Sequence, residues 1–526
     1  MIELLPGKGT FAPSDDVVVE ARGLTATATL SLSVLGEKIA EAKVSAAEPV
    51  ASFGVLPTGG YGIDADGGVH GALDVLADPF ERLRYGFVSD YAADRDVEGV
   101  ADNVRRLHLN AVQFYDWMYR HADLLPPTDE FTDTLGRAVS LDTVRRLVRA
   151  VSDAGAAPLG YAAVYAVGAE HRDAWNDAGL DHADGTPWML ADFLWNVDPA
   201  DERWLDHFTA DLRRAVETVG FAGFHLDQFG APKRAQRRDG SIVDLARAFP
   251  ALIERVRASL PDARLVFNNV NDFPTEATAR APQDAVYIEV WSPHDRLDHL
   301  AGLITKARAV APDRPVSLAA YLSVYARSDA GALAALRLEL ATVFSHGATC
   351  LLHGEEDAIL TDPYYVRHER LDEAGQSVTR RYYDFAVRYG DLLFDRAALD
   401  VTRTHSGGIN KELEVLATEP VTTDCEPGAL WARVIESETR LLVSLIALTG
   451  QGEVHWDRAK QPSAQLRGVR IAAEQVGTSL PRVFFASPED SPAPLPLEVR
   501  LVDGRVVADI PAFTTWALVW IEKESS

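Results

Sequence analysis

Gly223-Phe224-His225-Leu226-Asp227-Gln228-Phe229 is an apolar, strand-like run with a carboxylate near its end, and Ala285-Val286-Tyr287-Ile288-Glu289-Val290-Trp291 repeats the pattern further along the chain. Buried strands do not ordinarily carry bare acids, because an ionised carboxylate in apolar surroundings is costly unless paired or hydrogen-bonded. Asp227 and Glu289 therefore mark a site rather than a requirement of folding. Two such acids suit glycoside chemistry: one attacks or stabilises an oxocarbenium-like sugar, and the other, its pKa raised, protonates the leaving oxygen.

Working outward from these runs, short apolar stretches alternate with helical periodicity from Arg84 onward, the signature of repeated βα units around a parallel sheet. The candidate strands are Tyr85 to Asp90, Ala111 to Trp117, Pro158 to Tyr165, Gly223 to Phe229, Arg264 to Val270, Ala285 to Trp291, Val316 to Leu322 and Thr349 to Gly354. Helical patterns such as Val97 to Leu107 and Leu141 to Ala154 lie between them. Eight such units fit an α/β fold of the (β/α)8 barrel type over residues 81–396. A doubly wound open sheet is the alternative, weakened because no Gly-x-Gly-x-x-Gly follows the first strand. Before the barrel, alternating stretches such as Thr25 to Leu32 predict a small β-sandwich over residues 1–80. After it, Leu430 to Leu448 and Phe513 to Ile521 read as strands of a C-terminal β-domain over 397–526.

Composition narrows the partners. The 526 residues are 47% hydrophobic, enough for several cores. A formal charge of -27 argues against a protein that tracks nucleic acid or an anionic membrane, and suits a neutral ligand. Cys350 and Cys425 make no disulfide framework or zinc spacing. His121, His225 and His353 sit on separate strands, so no metal or other cofactor is expected. The first residues lack a basic segment followed by an apolar one, which reads as cytoplasmic, or as secreted if an export segment has been removed.

In a barrel the active site lies at the carboxyl ends of the strands, so polar and aromatic residues there become candidates for binding a polyhydroxylated ligand. They are Asp90, Tyr115, Asp116, Trp117, His121, Tyr165, Gln228, Asn268, Asn271, Trp291, Tyr321, His353 and Glu355, together with Trp188 in a long segment before the fourth strand. Aromatic faces stack on the C–H side of a sugar while Asp, Asn and His bind its hydroxyls. Trp175 and Trp195 share the segment of Trp188, with the same two readings of ligand wall or packing. Glu355, Glu356 and Asp357 are rival acids that read better as a solvated rim.

Tyr85 to Tyr91, Asn110 to His121, Gly223 to Gln228, Phe267 to Asn271 and Tyr287 to Trp291 resemble the block motifs of glycoside hydrolase family 66, which contains dextranases and cycloisomaltooligosaccharide glucanotransferases. The resemblance implies an immunoglobulin-like N-terminal domain, a (β/α)8 barrel and a C-terminal β-domain, and action on α-1,6-linked glucan with retention. It makes Asp227 the nucleophile and Glu289 the general acid/base, and sets Asp116, His121, Gln228 and Asn271 in motifs that line the glucose site. His225-Leu226-Asp227-Gln228 departs from the family in its flanking residues. The chain also has no evident room for the carbohydrate-binding module inserted in the barrel of cyclising members, which favours hydrolysis over cyclisation, with a transglycosylase forming cyclic or longer α-1,6-glucans from the same intermediate as the alternative. A glycan-binding protein without turnover is the alternative of another class, and the two acids speak against it. Oligomeric state is left open by the sequence.

Overall fold

The computed structural model describes residues 2–327, 329–475 and 479–523. Eight short strands run parallel in chain order: β1 (Tyr85–Val88), β2 (Ala111–Phe114), β3 (Ala157–Ala163), β4 (Gly223–Asp227), β5 (Arg264–Val270), β6 (Ala285–Glu289), β7 (Val316–Ala319) and β8, which is split into Thr349–Cys350 and His353–Gly354. Each pairs with the next from β1 to β7. The first piece of β8 pairs with β7 through Ser317 and Thr349, and the second meets β1 through Gly354 and Phe87, so the sheet curls until its ends touch. Glycine is needed at that closure, since a Cβ on Gly354 would lie 2.1 Å from the Phe87 carbonyl oxygen. Two further short strands, Ala358–Ile359 and Glu369–Arg370, extend the β8 edge to make eleven in the sheet.

Helices follow the strands: α1 (Glu98–Arg106), α2 (Leu141–Asp153), α3 (Glu202–Val219), α4 (Leu245–Ser259), α5 (Thr275–Thr278), α6 (Leu297–Val310), α7 (Ala330–Ser345) and α8 (Glu373–Arg388). Local sequence explains them. In α2 the buried positions Val144, Leu147, Val148 and Val151 recur at helical spacing, and the Ser140 hydroxyl accepts from the Thr143 amide to cap its start. The Asp201 carboxylate caps α3 in the same way, and Gly220, at φ 91°, ends it. Of these eight, α5 alone is a single turn, because few residues separate β5 from β6.

Several strands stop earlier than their sequence suggests. The chain leaves β1 after Val88, β2 after Phe114, β3 after Ala163 and β7 after Ala319, so Asp90, Asp116, Trp117, Tyr165 and Tyr321 stand in the loops beyond. Asp116 itself turns the chain, with a left-handed φ of 49° that a short polar side chain tolerates.

The N-terminal strands form a three-stranded and a four-stranded sheet that share a core including Leu4, Val19, Leu30, Ile63 and Val75. In Ala28–Val34 the inward Ala28, Leu30 and Leu32 alternate with half-buried polar residues, as the period of two requires. This unit is bolted to the curled sheet by Arg84, which is buried with Asp74 at 2.9 Å, and to α8 by Arg388 and Asp64 at 2.6 Å. C-terminal strands build a second pair of sheets around Leu430, Val443, Phe485 and Val519. Leu430–Glu436 and Arg440–Ala447 are a hairpin, and Trp516–Glu522 pairs with its second strand. Trp516 and Trp520 of that sheet pack on Phe385 and Tyr389 at the end of α8. Among the described residues, no helix is long and apolar enough to cross a membrane.

Candidate active site

Asp227 is the last residue of β4 and Glu289 the last of β6, with Asn268 of β5 between them. The Asn268 amide nitrogen donates to Asp227 Oδ1 at 2.7 Å and to Glu289 Oε2 at 2.8 Å. These two oxygens therefore lie at most about 5.5 Å apart, the length of the two bonds laid end to end. The outer oxygens are held as well: Tyr161 donates to Asp227 Oδ2 at 2.7 Å, and Tyr321 to Glu289 Oε1 at 3.2 Å.

Burial sets the protonation of the pair. Loss of water pushes Asp227 up to about 6, against the hydrogen bonds from Asn268 and Tyr161 that favour its charged form. Glu289 is pushed up to about 7, by burial first and then by the neighbouring charge of Asp227. Of the two, Asp227 ionises first. A third acid, Asp116, is raised to about 7 by burial, with Arg137 opposing the rise. The Arg137 guanidinium lies 3.8 Å from the Asp116 carboxylate, donates to its backbone oxygen at 3.1 Å, and is itself held by Asp133 at 2.7 Å.

Aromatic rings floor and wall this cluster. Tyr365, in the loop after β8, stacks on Tyr115 with centroids 4.4 Å apart. Its hydroxyl lies 3.2 Å from that of Tyr287 and 3.3 Å from that of Tyr321. Tyr115 also meets Tyr161 and Tyr364. Trp291, exposed, stands 6.1 Å from the Tyr321 ring.

Several expected ligand residues are occupied elsewhere. Trp117 is fully buried, packs on Phe221 and gives its indole hydrogen to the Tyr161 carbonyl oxygen. Tyr165, also fully buried, bonds the Ala231 carbonyl oxygen and the Phe229 amide, which leaves its hydroxyl no spare role. Gln228 spends both ends of its amide on Asn268, Phe273 and Gly230, bracing the turn after β4. His353 is buried against Tyr383 of α8. Glu355 is no solvated rim acid: it is buried, accepts from the Ser89 and Asp90 amides and pairs with Arg95, so it ties the end of β1 to β8. Asp90 turns to the same Arg95, at 3.2 Å. Trp188 stacks on His182, Trp175 packs on Trp204 of α3, and Arg172 covers Trp195, so that segment is folded on itself.

His121 is buried, with burial lowering its pKa to about 4, and Asn271 donates to the Ser292 carbonyl oxygen at 2.9 Å. Among the described residues, no group of three or more His, Cys, Asp or Glu is placed to hold a metal ion. Tyr161, Tyr287, Tyr364, Tyr365 and Arg137 escaped sequence reasoning. Tyr161 and Tyr287 lie inside strands, where a Tyr reads as core, and the others come from loops with no pattern. Strand parity was the available signal for Tyr287, which alternates with Glu289 on one face of β6.

Solved structures share this architecture. A Paenibacillus sp. cycloisomaltooligosaccharide glucanotransferase, complexed with cycloisomaltoheptaose, matches with a TM-score of 0.88 at 18% identity over 99% of each chain. A maltogenic alpha-amylase from Thermotoga neapolitana matches with a TM-score of 0.55 at 9% identity, over 85% of this chain and 100% of that one. The curled α/β sheet carries paired acids at its carboxyl edge, an arrangement that suits the cleavage of a glycosidic bond. Glycosyl hydrolase family 66 is the family whose sequence model matches, over residues 21–520, and the chain belongs to that family. Two cycloisomaltooligosaccharide glucanotransferases of Niallia circulans are 27% identical over 301 and 300 residues, 50% of this chain in each case. The matches span 30% and 31% of the length of those curated relatives.

Proposed function

We propose that the enzyme cleaves α-1,6-glucosidic linkages of dextran or isomalto-oligosaccharides with retention, through a covalent glucosyl-enzyme. Asp227, ionised, attacks the anomeric carbon while Glu289, protonated, gives its proton to the departing glycosidic oxygen. Glu289 then takes a proton from water as that water attacks the intermediate. The observation that carries this reading is the shared Asn268 donor. It holds the nearest carboxyl oxygens within about 5.5 Å, the spacing of retaining enzymes, whereas inversion needs roughly 6.5–9.5 Å to admit a water. Asp116, Tyr115, Tyr161 and Trp291 are read as the groups that hold the sugar. The same proposal takes the curled sheet as a (β/α)8 barrel over 81–396, between an immunoglobulin-like sandwich over 1–80 and a β-domain over 397–526.

A second reading replaces water by a sugar hydroxyl, giving cyclic or longer glucans. It is favoured by the name that three of the matched proteins carry, cycloisomaltooligosaccharide glucanotransferase. Incubation with dextran, linear isomalto-oligosaccharides and starch separates the readings. Shorter chains with new reducing ends are expected of hydrolysis, and products without reducing ends of cyclisation. Activity on starch alone, or undiminished activity in Asp227→Asn, sinks the proposal.

A further inference from the structure

A cleft of about 460 Å³ opens beside Glu289, within the roughly 300–1,000 Å³ of small-molecule sites. Trp291 after β6, Tyr321 after β7 and Asp362 after β8 form one side. His455, Asp457 and Arg458, from a loop between the C-terminal strands, form the other. That loop is built to stay in place. Lys460 is buried at its base, paired with Glu453 at 2.6 Å and donating to the carbonyl oxygens of His455 and Arg458. Outward, the Asp457 carboxylate accepts from the Ser323 hydroxyl at 2.6 Å and the Val324 amide at 3.1 Å. The Trp456 indole donates to the His294 carbonyl oxygen at 2.8 Å. The loop is thus moored to the segments leaving both β6 and β7.

What it presents to the cleft is unspent hydrogen-bonding capacity. Arg458 is exposed and pairs with no carboxylate among the described residues, and Trp291, 39% exposed, lines the cleft with its indole hydrogen-bonded to Glu289. An aromatic platform opposite free donors suits a sugar ring. Position decides which sugar. Tyr321 belongs to the cleft and also donates to Glu289, so the cleft lies on the proton donor's side of the acid pair. A leaving group must meet the proton donor, and an acceptor enters by the path the leaving group took.

Resting on the glucosyl-enzyme reading above, we propose that this cleft is the acceptor site, and that the loop of residues 451–461 sets how much of the intermediate passes to a sugar hydroxyl instead of water. In the transfer step the acceptor oxygen bonds to the anomeric carbon, the bond from that carbon to Asp227 breaks, and the hydroxyl proton goes to Glu289. The C-terminal part of the chain thereby contributes to the outcome of the reaction.

The test forms one intermediate from α-isomaltosyl fluoride, whose fluoride leaves as the bond to Asp227 forms and needs no sugar in the cleft. Isomaltotriose is added as acceptor, and the ratio of transfer to hydrolysis products is measured, a ratio independent of how fast the intermediate forms. Trp291→Ala and Arg458→Ala are each expected to lower it about tenfold, and Trp291→Phe, which keeps a stacking face, to hold it within about twofold. A wild-type ratio in both alanine variants overturns the inference while fluoride release leaves the glucosyl-enzyme reading standing. No transfer product from the wild type at saturating isomaltotriose also overturns it. Absence of fluoride release from the wild type overturns the glucosyl-enzyme reading, and the acceptor site with it.

Discussion

Tyr161 donates its phenolic hydrogen to Oδ2 of Asp227 at 2.7 Å, so the acid that attacks the sugar in the proposed mechanism is steadied by a strand neighbour. The bond favours the charged form of Asp227 and opposes the rise that burial imposes. Removing it in Tyr161→Phe raises the Asp227 pKa. The acid limb of the rate profile is expected to move to higher pH, and kcat/KM at its optimum to fall about ten- to a hundredfold, the worth of one hydrogen bond to a charged group. Profiles of kcat/KM against pH for both enzymes check this, and superimposable acid limbs count against the role of Tyr161.

The pair also fixes the shape of the wild-type profile. With Asp227 near 6 and Glu289 near 7, the singly protonated pair prevails between these values. A narrow bell with its maximum between about pH 6 and 7 is expected. Rate falls below it as Asp227 takes up a proton and above it as Glu289 loses one. Because the charge of Asp227 helps to raise Glu289, Asp227→Asn lowers the Glu289 pKa, a shift readable by carbon NMR of labelled glutamate. A Glu289 signal that titrates at unchanged pH in Asp227→Asn sinks this account of the coupling.

Asp227, Glu289 and Asn268 were legible in the sequence because a charge or amide in an apolar strand has few structural excuses. The sequence of βα units was legible for a related reason, since the strands read as short apolar runs and helices such as α2 are apolar on one face. Strand ends were not, because hydrogen bonding to a neighbour, not composition, decides where a strand stops. Trp117 and Tyr165 therefore looked like cleft residues while lying past the turn, where their rings fill the core. Tyr365 and the loop around Lys460 were invisible for the opposite reason. They reach the site by tertiary packing from far along the chain, with no local pattern to announce them.

Glu355 distinguishes a sugar ligand from a brace. Its carboxylate is buried with Arg95 and two backbone amides, so Glu355→Ala takes from the buried guanidinium its buried partner and leaves it only the exposed Asp90. Breaking a buried pair costs about 3–5 kcal/mol. Lowered unfolding midpoints are expected, and the double variant Arg95→Ala/Glu355→Ala is expected to lose less than the two single losses added together. A raised KM with unchanged thermal stability instead restores Glu355 to the substrate.

Glu339 of α7 is fully buried, and neither carboxyl oxygen has a hydrogen-bond partner among the described residues. Burial holds its pKa well above the ordinary 4.5, and the nearby Asp457 adds to the rise. A folded-state pKa above the unfolded one means that the folded protein keeps a proton the unfolded chain releases. Stability linked to this group is therefore complete below about pH 4.5 and drains away as pH rises, by up to about 1.4 kcal/mol per pH unit until the folded value is reached. Glu339→Met fills similar space and has nothing to titrate. Its advantage over the wild type in urea midpoint is expected to be larger at pH 8 than at pH 5, because the penalty it removes grows over that interval. An advantage independent of pH shows that Glu339 titrates normally, and no advantage at either pH shows that its carboxyl is satisfied in the folded state.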